Sequence, residues 1–251
     1  MEKIGNAFLH QGDCLEIMPG FEDHSVDLIL ADLPYGVTAC EWDVIIPFDR
    51  LWAEYERVLK PAGSVILTAS QPFTTKLINS KMDWFRYELI WKKNTVSGHL
   101  NSKYQPLRGH ENILVFSPAK TTKMTYHPQG LVAVDKMKRT GRSRIYNKQT
   151  IEMRHVRWSN FPRSVLEFAS ETDHRHPTQK PVALLAYLIE TYSEPGALVL
   201  DNTMGVGSTG VASLQVGRHF IGIEMADQFY DIAVERMKNV CAQTFKRKSG
   251  P

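Results

Sequence analysis

Cysteine is scarce: three residues in 251, Cys14, Cys40 and Cys241, with no CxxC spacing among them. That excludes a disulfide framework and a structural zinc site, and it fits a reducing, cytoplasmic setting. Long apolar runs are missing too, so no segment reaches the roughly 18 residues that a membrane span requires. Met1 to Asn6 carries no apolar core of a secretory leader, so neither export nor a membrane partner is expected. The nine histidines show no HxxxH or Cys/His spacing, and no metal is expected. Neither a GxSxG turn nor a GK[ST] loop occurs, which disfavours hydrolase and P-loop chemistry.

Apolar residues make up 43% of the chain, enough for a sizeable core in one large domain, with or without an insertion. The net charge of +3 conceals a strong asymmetry. Residues 1–91 hold 7 Lys/Arg against 14 Asp/Glu, and residues 166–251 hold 8 against 10. Residues 92–165 hold 15 against three, interleaved with Tyr104, Tyr126, Tyr146, His155 and Trp158. A middle third at +12 between two mildly acidic thirds points to a face built for a polyanion, nucleic acid above all.

Both outer thirds read as α/β. Val26 to Ala31, Ser64 to Thr68, Ala197 to Asp201 and His219 to Glu224 are short apolar runs of the kind found in strands buried on both faces. Ala7 to His10 and Tyr87 to Trp91 are further strand candidates. Phe48 to Leu59 repeats apolar residues at helical spacing until Lys60-Pro61-Ala62-Gly63 stops it. Helices are also expected over Pro72 to Ser80, from Pro181 as a first helical position, over Thr209 to Gln215, and over Asp227 to Lys238 with a frayed tail beyond. Within the middle third only Ile113 to Phe116 is a clear strand. Thr95 to Arg108 reads as a mobile loop, and residues 117–165 as loop-rich with weak β-character near Leu131 to Val134.

Two motifs carry chemistry. Gly205-Val206-Gly207-Ser208-Thr209-Gly210 is a GxGxxG between a strand and a helix, and Glu224 ends the next strand fourteen residues beyond Gly210. Glycines there allow close backbone approach, and the acid can accept hydrogen bonds from both hydroxyls of a ribose. An adenosine-containing ligand is implied, and both NAD and S-adenosylmethionine fit. The second motif, Asp32-Leu33-Pro34-Tyr35-Gly36, follows the buried strand Val26 to Ala31, where an open α/β sheet faces its ligand crevice. Pro34 stiffens a corner that presents a carboxylate, carbonyls and an aromatic face. Such a corner suits an exocyclic amine on a planar ring.

These motifs, with Gly12-Asp13-Cys14, Leu59 to Gly63, Ile90-Trp91-Lys92-Lys93, His176-Pro177-Thr178-Gln179-Lys180-Pro181, Leu200 to Gly207 and Gly222-Ile223-Glu224, occur in one order. That order resembles the beta-class amino-methyltransferases of DNA, which methylate N6 of adenine or N4 of cytosine. The resemblance covers roughly residues 6–240. It implies an α/β fold of the Rossmann-like S-adenosylmethionine-dependent methyltransferase type, with a mostly parallel central sheet flanked by helices, circularly permuted motif order and a basic insertion. Residues 1–91 would be the catalytic half, 92–165 the target-recognition insertion and 166–251 the cofactor-binding half.

By the same resemblance, Asp32, Leu33, Pro34 and Tyr35 would hold a flipped base. Asp201, Met204, Gly205 and Gly207 would face the methionine part of S-adenosylmethionine, Glu224 its ribose, and Asp13 and Cys14 its adenine. Thr178 and Lys180 would help close that pocket. Lys92, Lys93, Arg108, Arg139, Arg142 and Arg144 are the candidate DNA contacts, by position and charge. The chain departs from the family where Leu33 replaces a Pro and where Asn202 and Met204 stand for Pro and Phe. Asp32 leans the target to adenine, since the cytosine enzymes more often begin this motif with Ser. DNA is the expected partner. A homodimer and a cognate restriction enzyme, as in bacterial or phage restriction-modification, stay open. Competing readings are N4-cytosine methylation, RNA methylation and an NAD-linked oxidoreductase, the last of which leaves the basic third and the Asp32 corner unexplained.

Overall fold

The computed structural model describes residues 1–36, 40, 43–139, 141, 153–171 and 179–248. One unit comprises residues Met1–His127 and Ser164–Pro251, and a second comprises Pro128–Arg163.

The first unit is built on a nine-stranded sheet. Its strands are β1 (Glu2–Ile4), β2 (Ala7–Gln11), β3 (Val26–Ala31), β4 (Leu59–Ala69), β5 (Phe85–Ser97), β6 (Arg108–Phe116), β9 (Val165–Glu167), β10 (Leu198–Asp201) and β11 (His219–Glu224). Their spatial order is β1-β2-β11-β10-β3-β4-β6-β5-β9. The central five, β2, β11, β10, β3 and β4, run parallel to one another, while β1 is antiparallel to β2 and β6 is antiparallel to both β4 and β5. The expected mostly parallel α/β sheet is therefore present. Helices α1 (Cys14–Ile17), α2 (Phe48–Val58), α3 (Phe73–Ser80), α4 (Val182–Tyr192), α5 (Ser208–Gln215) and α6 (Asp227–Lys248) complete the unit.

Two buried clusters hold the layers together. Leu51, Trp52, Tyr55 and Val58 of α2 pack with Ile29 and Val65 in one cluster, and Leu184, Leu188 and Ile189 of α4 pack with Leu28 and Ile66 in the other. Alternate residues of β3 and β4 thus serve opposite faces, which is why those strands read as unbroken apolar runs.

Several element boundaries differ from expectation. β4 begins at Leu59, which pairs with Val26, before the register shifts and Ser64 pairs with Leu28. Gly63 sits at that irregularity, where a Cβ would lie 2.8 Å from the Asp27 carbonyl oxygen. Pro181 caps α4 in an extended conformation rather than starting its first turn. α6 runs to Lys248 instead of stopping near Lys238. Most of Thr95 to Arg108 was expected as a loop, yet β5 continues to Ser97, a single 3-10 turn covers His99–Asn101, and β6 starts at Arg108. No apolar period marks this stretch because its residues are mostly exposed.

The second unit contains β7 (Val132–Arg139) and β8 (Met153–Ser159), an antiparallel pair where only weak β-character near Leu131 to Val134 was expected in a loop-rich stretch. Almost every residue of the two strands is exposed, so no alternation of apolar residues announces them. The pairing sets Lys138 opposite Arg154, like charges across the ladder.

Candidate active site

Because β2, β3, β4, β10 and β11 are parallel, their C-terminal ends share one edge of the sheet. Asp13, Asp32, Thr68, Asp201 and Glu224 stand at or just past those ends. β6 is antiparallel and brings its N-terminal part, with Glu111, to the same edge, and β5 brings Lys93 there. The chain order reverses between β10 and β3, so a crevice opens at that edge, as open α/β sheets require. A cavity of about 860 Å³ occupies it.

Asp13, Cys14, Asp32, Leu33, Pro34, Tyr35, Lys180, Asp201, Met204, Gly205 and Glu224 all line this cavity. Two stretches more than 160 residues apart in sequence are thereby brought together. Lys93 and Arg108 also line it, whereas Lys92 is outside, paired with Glu167 at 2.9 Å. Lys93, one of the candidate DNA contacts, faces inward and forms an ion pair with Glu111. Arg139 is exposed on β7, in the other unit. Thr178, Arg142 and Arg144 lie outside the described residues.

At the first corner the Asp32 carboxylate is held on three sides. Oδ1 accepts from the Tyr35 hydroxyl at 2.8 Å and from the Thr68 hydroxyl, and Oδ2 accepts from Lys180 Nζ at 2.5 Å. The Tyr35 ring is stacked on Phe73, with centroids 4.9 Å apart and planes 21° from parallel. Burial and the adjacent Asp32 charge push the Tyr35 phenol well above its usual pKa, so it remains a neutral donor. Leu33 stands where the family commonly has Pro, and the residue is only 3% exposed. The next turn is fastened by Gly36 N–H donating to Asp43 at 2.8 Å.

The second corner is lined by two carboxyl groups, Asp201 and Glu224. Glu224 accepts the Gly205 N–H at one carboxylate oxygen and the Ala226 N–H at the other, at 2.9 and 2.8 Å. Asp201 is 3% exposed and accepts from Thr203 N–H at 3.1 Å. Burial drives its carboxyl up to a pKa of about 7, against opposing hydrogen bonds from Thr209 and Thr203. Asn202 accepts from Tyr55 at 2.5 Å and donates to the Cys14 sulfur at 3.5 Å. Burial raises the Cys14 thiol pKa, which suits a pocket wall and not a nucleophile.

The glycine loop divides its labour. Gly205, at φ +52°, lines the cavity with nothing within 4 Å of where a Cβ would be. Gly207 does not line the cavity; a Cβ there would lie 2.8–2.9 Å from Met237 and Ala233 of α6. Met204 takes the place of the family's Phe and packs its sulfur over Gly222, whose lack of a side chain makes the room.

Thr68, Phe73, Lys93 as an inward group, and Glu111 escaped sequence reasoning. Each is a single residue whose only signal is position at the end of a strand, or on a helix, beside a neighbour far away in sequence.

A sequence model of a family described as DNA methylase matches residues 26–235. The Haemophilus influenzae protein named Type II methyltransferase M.HinfI is 28% identical over 281 aligned residues, covering 96% of this chain and 71% of that one. DNA adenine methyltransferase YhdJ of Escherichia coli K12 is 29% identical over 273, covering 95% and 87%. Among solved structures, the M1.HpyAVI–SAM complex superposes with a TM-score of 0.62 at 23% identity, covering 92% of this chain and 98% of that one. That likeness concerns the fold.

Proposed function

The chain belongs to the DNA methylase family, and on that premise we propose that it transfers a methyl group from S-adenosylmethionine to the exocyclic N6 amine of adenine in DNA. The observation that carries this reading is the Asp32 carboxylate, aimed into the same cavity as Glu224 and Asp201. The name of YhdJ supports a DNA substrate and adenine as its target, and that of M.HinfI supports methyl transfer.

The residues present fit the cofactor. Glu224 accepts the Gly205 N–H at one oxygen and the Ala226 N–H at the other, and its carboxylate keeps acceptor capacity for a ribose hydroxyl. Asp201 is a buried carboxyl with no cation paired to it among the described residues, the complement of the ammonium on a methionine chain. Gly205 gives backbone access, while Met204, Asp13 and Cys14 wall the remaining space. Bound there, S-adenosylmethionine supplies an electrophilic methyl on a sulfonium centre.

The amine of adenine is a weak nucleophile because its lone pair is shared with the ring. Asp32 accepts one N–H and a Leu33 or Pro34 carbonyl the other, which favours a pyramidal nitrogen with its pair free for in-line attack. This is positioning and electrostatic preorganisation, without a covalent enzyme intermediate. The base must leave the duplex, at a cost of a few kcal/mol. Tyr35, braced from behind by Phe73, returns roughly 1–3 kcal/mol by stacking. Phosphates are assigned to Lys92, Arg108 and the basic strands around Arg139. A cytoplasmic location, a homodimer and a cognate restriction enzyme complete the proposal. Among the described residues no helix is long and apolar enough to cross a membrane.

The test is to incubate the protein with methyl-labelled S-adenosylmethionine and, in separate reactions, unmethylated DNA or RNA, then digest each polymer to nucleosides. N6-methyldeoxyadenosine is expected. Label in N4-methyldeoxycytidine would overturn the choice of base, and label in RNA alone would overturn the polymer.

A further inference from the structure

Four charged side chains of alternating sign form a row along the wall of the cavity. Lys93 of β5 pairs with Glu111 Oε1 on β6, Glu111 Oε2 lies 3.3 Å from Lys180 Nζ, and Lys180 Nζ donates to Asp32 Oδ2 at 2.5 Å. The middle pair is the most enclosed, with the Lys180 side chain 8% exposed and that of Glu111 15%. Asp32 belongs to the reaction proposed above; Glu111 touches neither the target amine nor the cofactor in that scheme.

A carboxylate has about four acceptor directions. Tyr35 and Thr68 take two at Asp32 Oδ1, and Lys180 takes one at Oδ2. One remains, and it must meet an N–H of the amine. Its direction depends on where Lys180 sits, yet a lysine ammonium is a point charge on a flexible stem. Glu111 supplies the second anchor. It also shares the lysine's charge, so that Asp32 is not fully neutralised and still opposes the positive charge growing on the amine nitrogen.

We propose that Glu111 is a positioning residue for methyl transfer, acting through Lys180 to leave Asp32 one open lone pair and its charge. The inference rests on the function proposed above. Burial pulls the Lys180 pKa down, but Asp32 and Glu111 more than offset it, and the lysine ends above its ordinary value. Glu111 is also disfavoured as an anion by burial, and Lys180 and Lys93 hold it below the usual carboxylate range. Among the described residues, Asp32 from the end of β3 and Glu111 from β6 are charged groups that face Lys180, and Lys93 of β5 reaches it through Glu111.

The experiment compares single-turnover rates of wild type, Glu111→Gln, Glu111→Asp and Lys93→Gln at saturating cofactor and DNA, across pH. Glu111→Gln should slow transfer about 10- to 100-fold, the scale of a small misplacement in an active site. Affinities for S-adenosylmethionine and DNA should change less than about threefold. Its alkaline limb should move to lower pH, because Lys180 loses one of two supporting charges. Glu111→Asp should restore part of the rate. Lys93→Gln should move the alkaline limb the opposite way, since Glu111 then serves Lys180 alone; this variant decides the matter if Glu111→Gln fails to fold. Equal rates for wild type and Glu111→Gln, or a loss confined to binding with an unmoved pH profile, would overturn the positioning role while the methyltransferase reading stands. A wild type that moves no methyl to DNA would overturn both.

Discussion

At the scale of single residues, Asp201 is the most testable group beside Asp32. Its pKa of about 7 reflects burial, so a ligand ammonium would meet a half-protonated carboxyl near neutral pH. Only the anion attracts that ammonium. Cofactor affinity should therefore be flat above pH 8 and weaken below about 7, by up to tenfold per pH unit, in calorimetric titrations. Asp201→Asn should bind more weakly throughout and lose this dependence. A carboxyl whose pKa rises on folding holds extra protons in the folded state between about 4 and 7. The apo protein should accordingly lose stability as pH rises through that window, on the order of 4 kcal/mol as an upper bound. Asp32, Asp201 and Glu224 were legible in the sequence because each ends a buried apolar run. Thr68 and Glu111 were not, because a polar residue on a strand is common and only its neighbours across the sheet give it meaning.

At the scale of elements, charge and packing separate. The strands of the main sheet could be read wherever both faces are buried, and could not where residues 92–97 extend beyond the core with polar side chains. β7 and β8 are the extreme case, two paired strands with hardly a buried residue. Their ladder puts Lys138 opposite Arg154, an arrangement that costs stability unless an anion sits between. DNA phosphate is that anion in the present account. Replacing both residues with Gln should flatten the log–log dependence of DNA affinity on salt by about 1.8, from 0.9 per phosphate neutralised. Affinity for S-adenosylmethionine should not move. An unchanged slope removes these strands from the DNA-binding face. The GxGxxG shows a different limit of sequence reading: Gly205 opens onto the cavity, but Gly207 is small to admit α6, and a motif alone does not separate the two reasons.

At the scale of the whole molecule, the order of motifs along the chain is less informative than the order of strands in the sheet. The catalytic corner is encoded first and the cofactor corner last, yet β3 and β10 pair side by side, Leu28 with Val199 and Ile29 with Leu200. Parallel pairing then sends Asp32 and Asp201 out of the same edge. The asymmetry of charge, +12 over residues 92–165, adds an attraction for a polyanion. What joins the two is the claim that Asp32 acts as a hydrogen-bond acceptor shaping the amine, and not as a general base. The most direct measurement is the single-turnover rate of methyl transfer for Asp32→Asn and Asp32→Ala at saturating cofactor and DNA. Asn supplies an oxygen at nearly the same place without the charge, and Ala supplies nothing. The account predicts that Ala abolishes turnover, a loss on the order of 3–5 kcal/mol or more, while Asn keeps a measurable remnant and both variants still bind cofactor. Equal inactivity of the two, with cofactor and DNA binding intact, would contradict it and make the negative charge or proton acceptance indispensable.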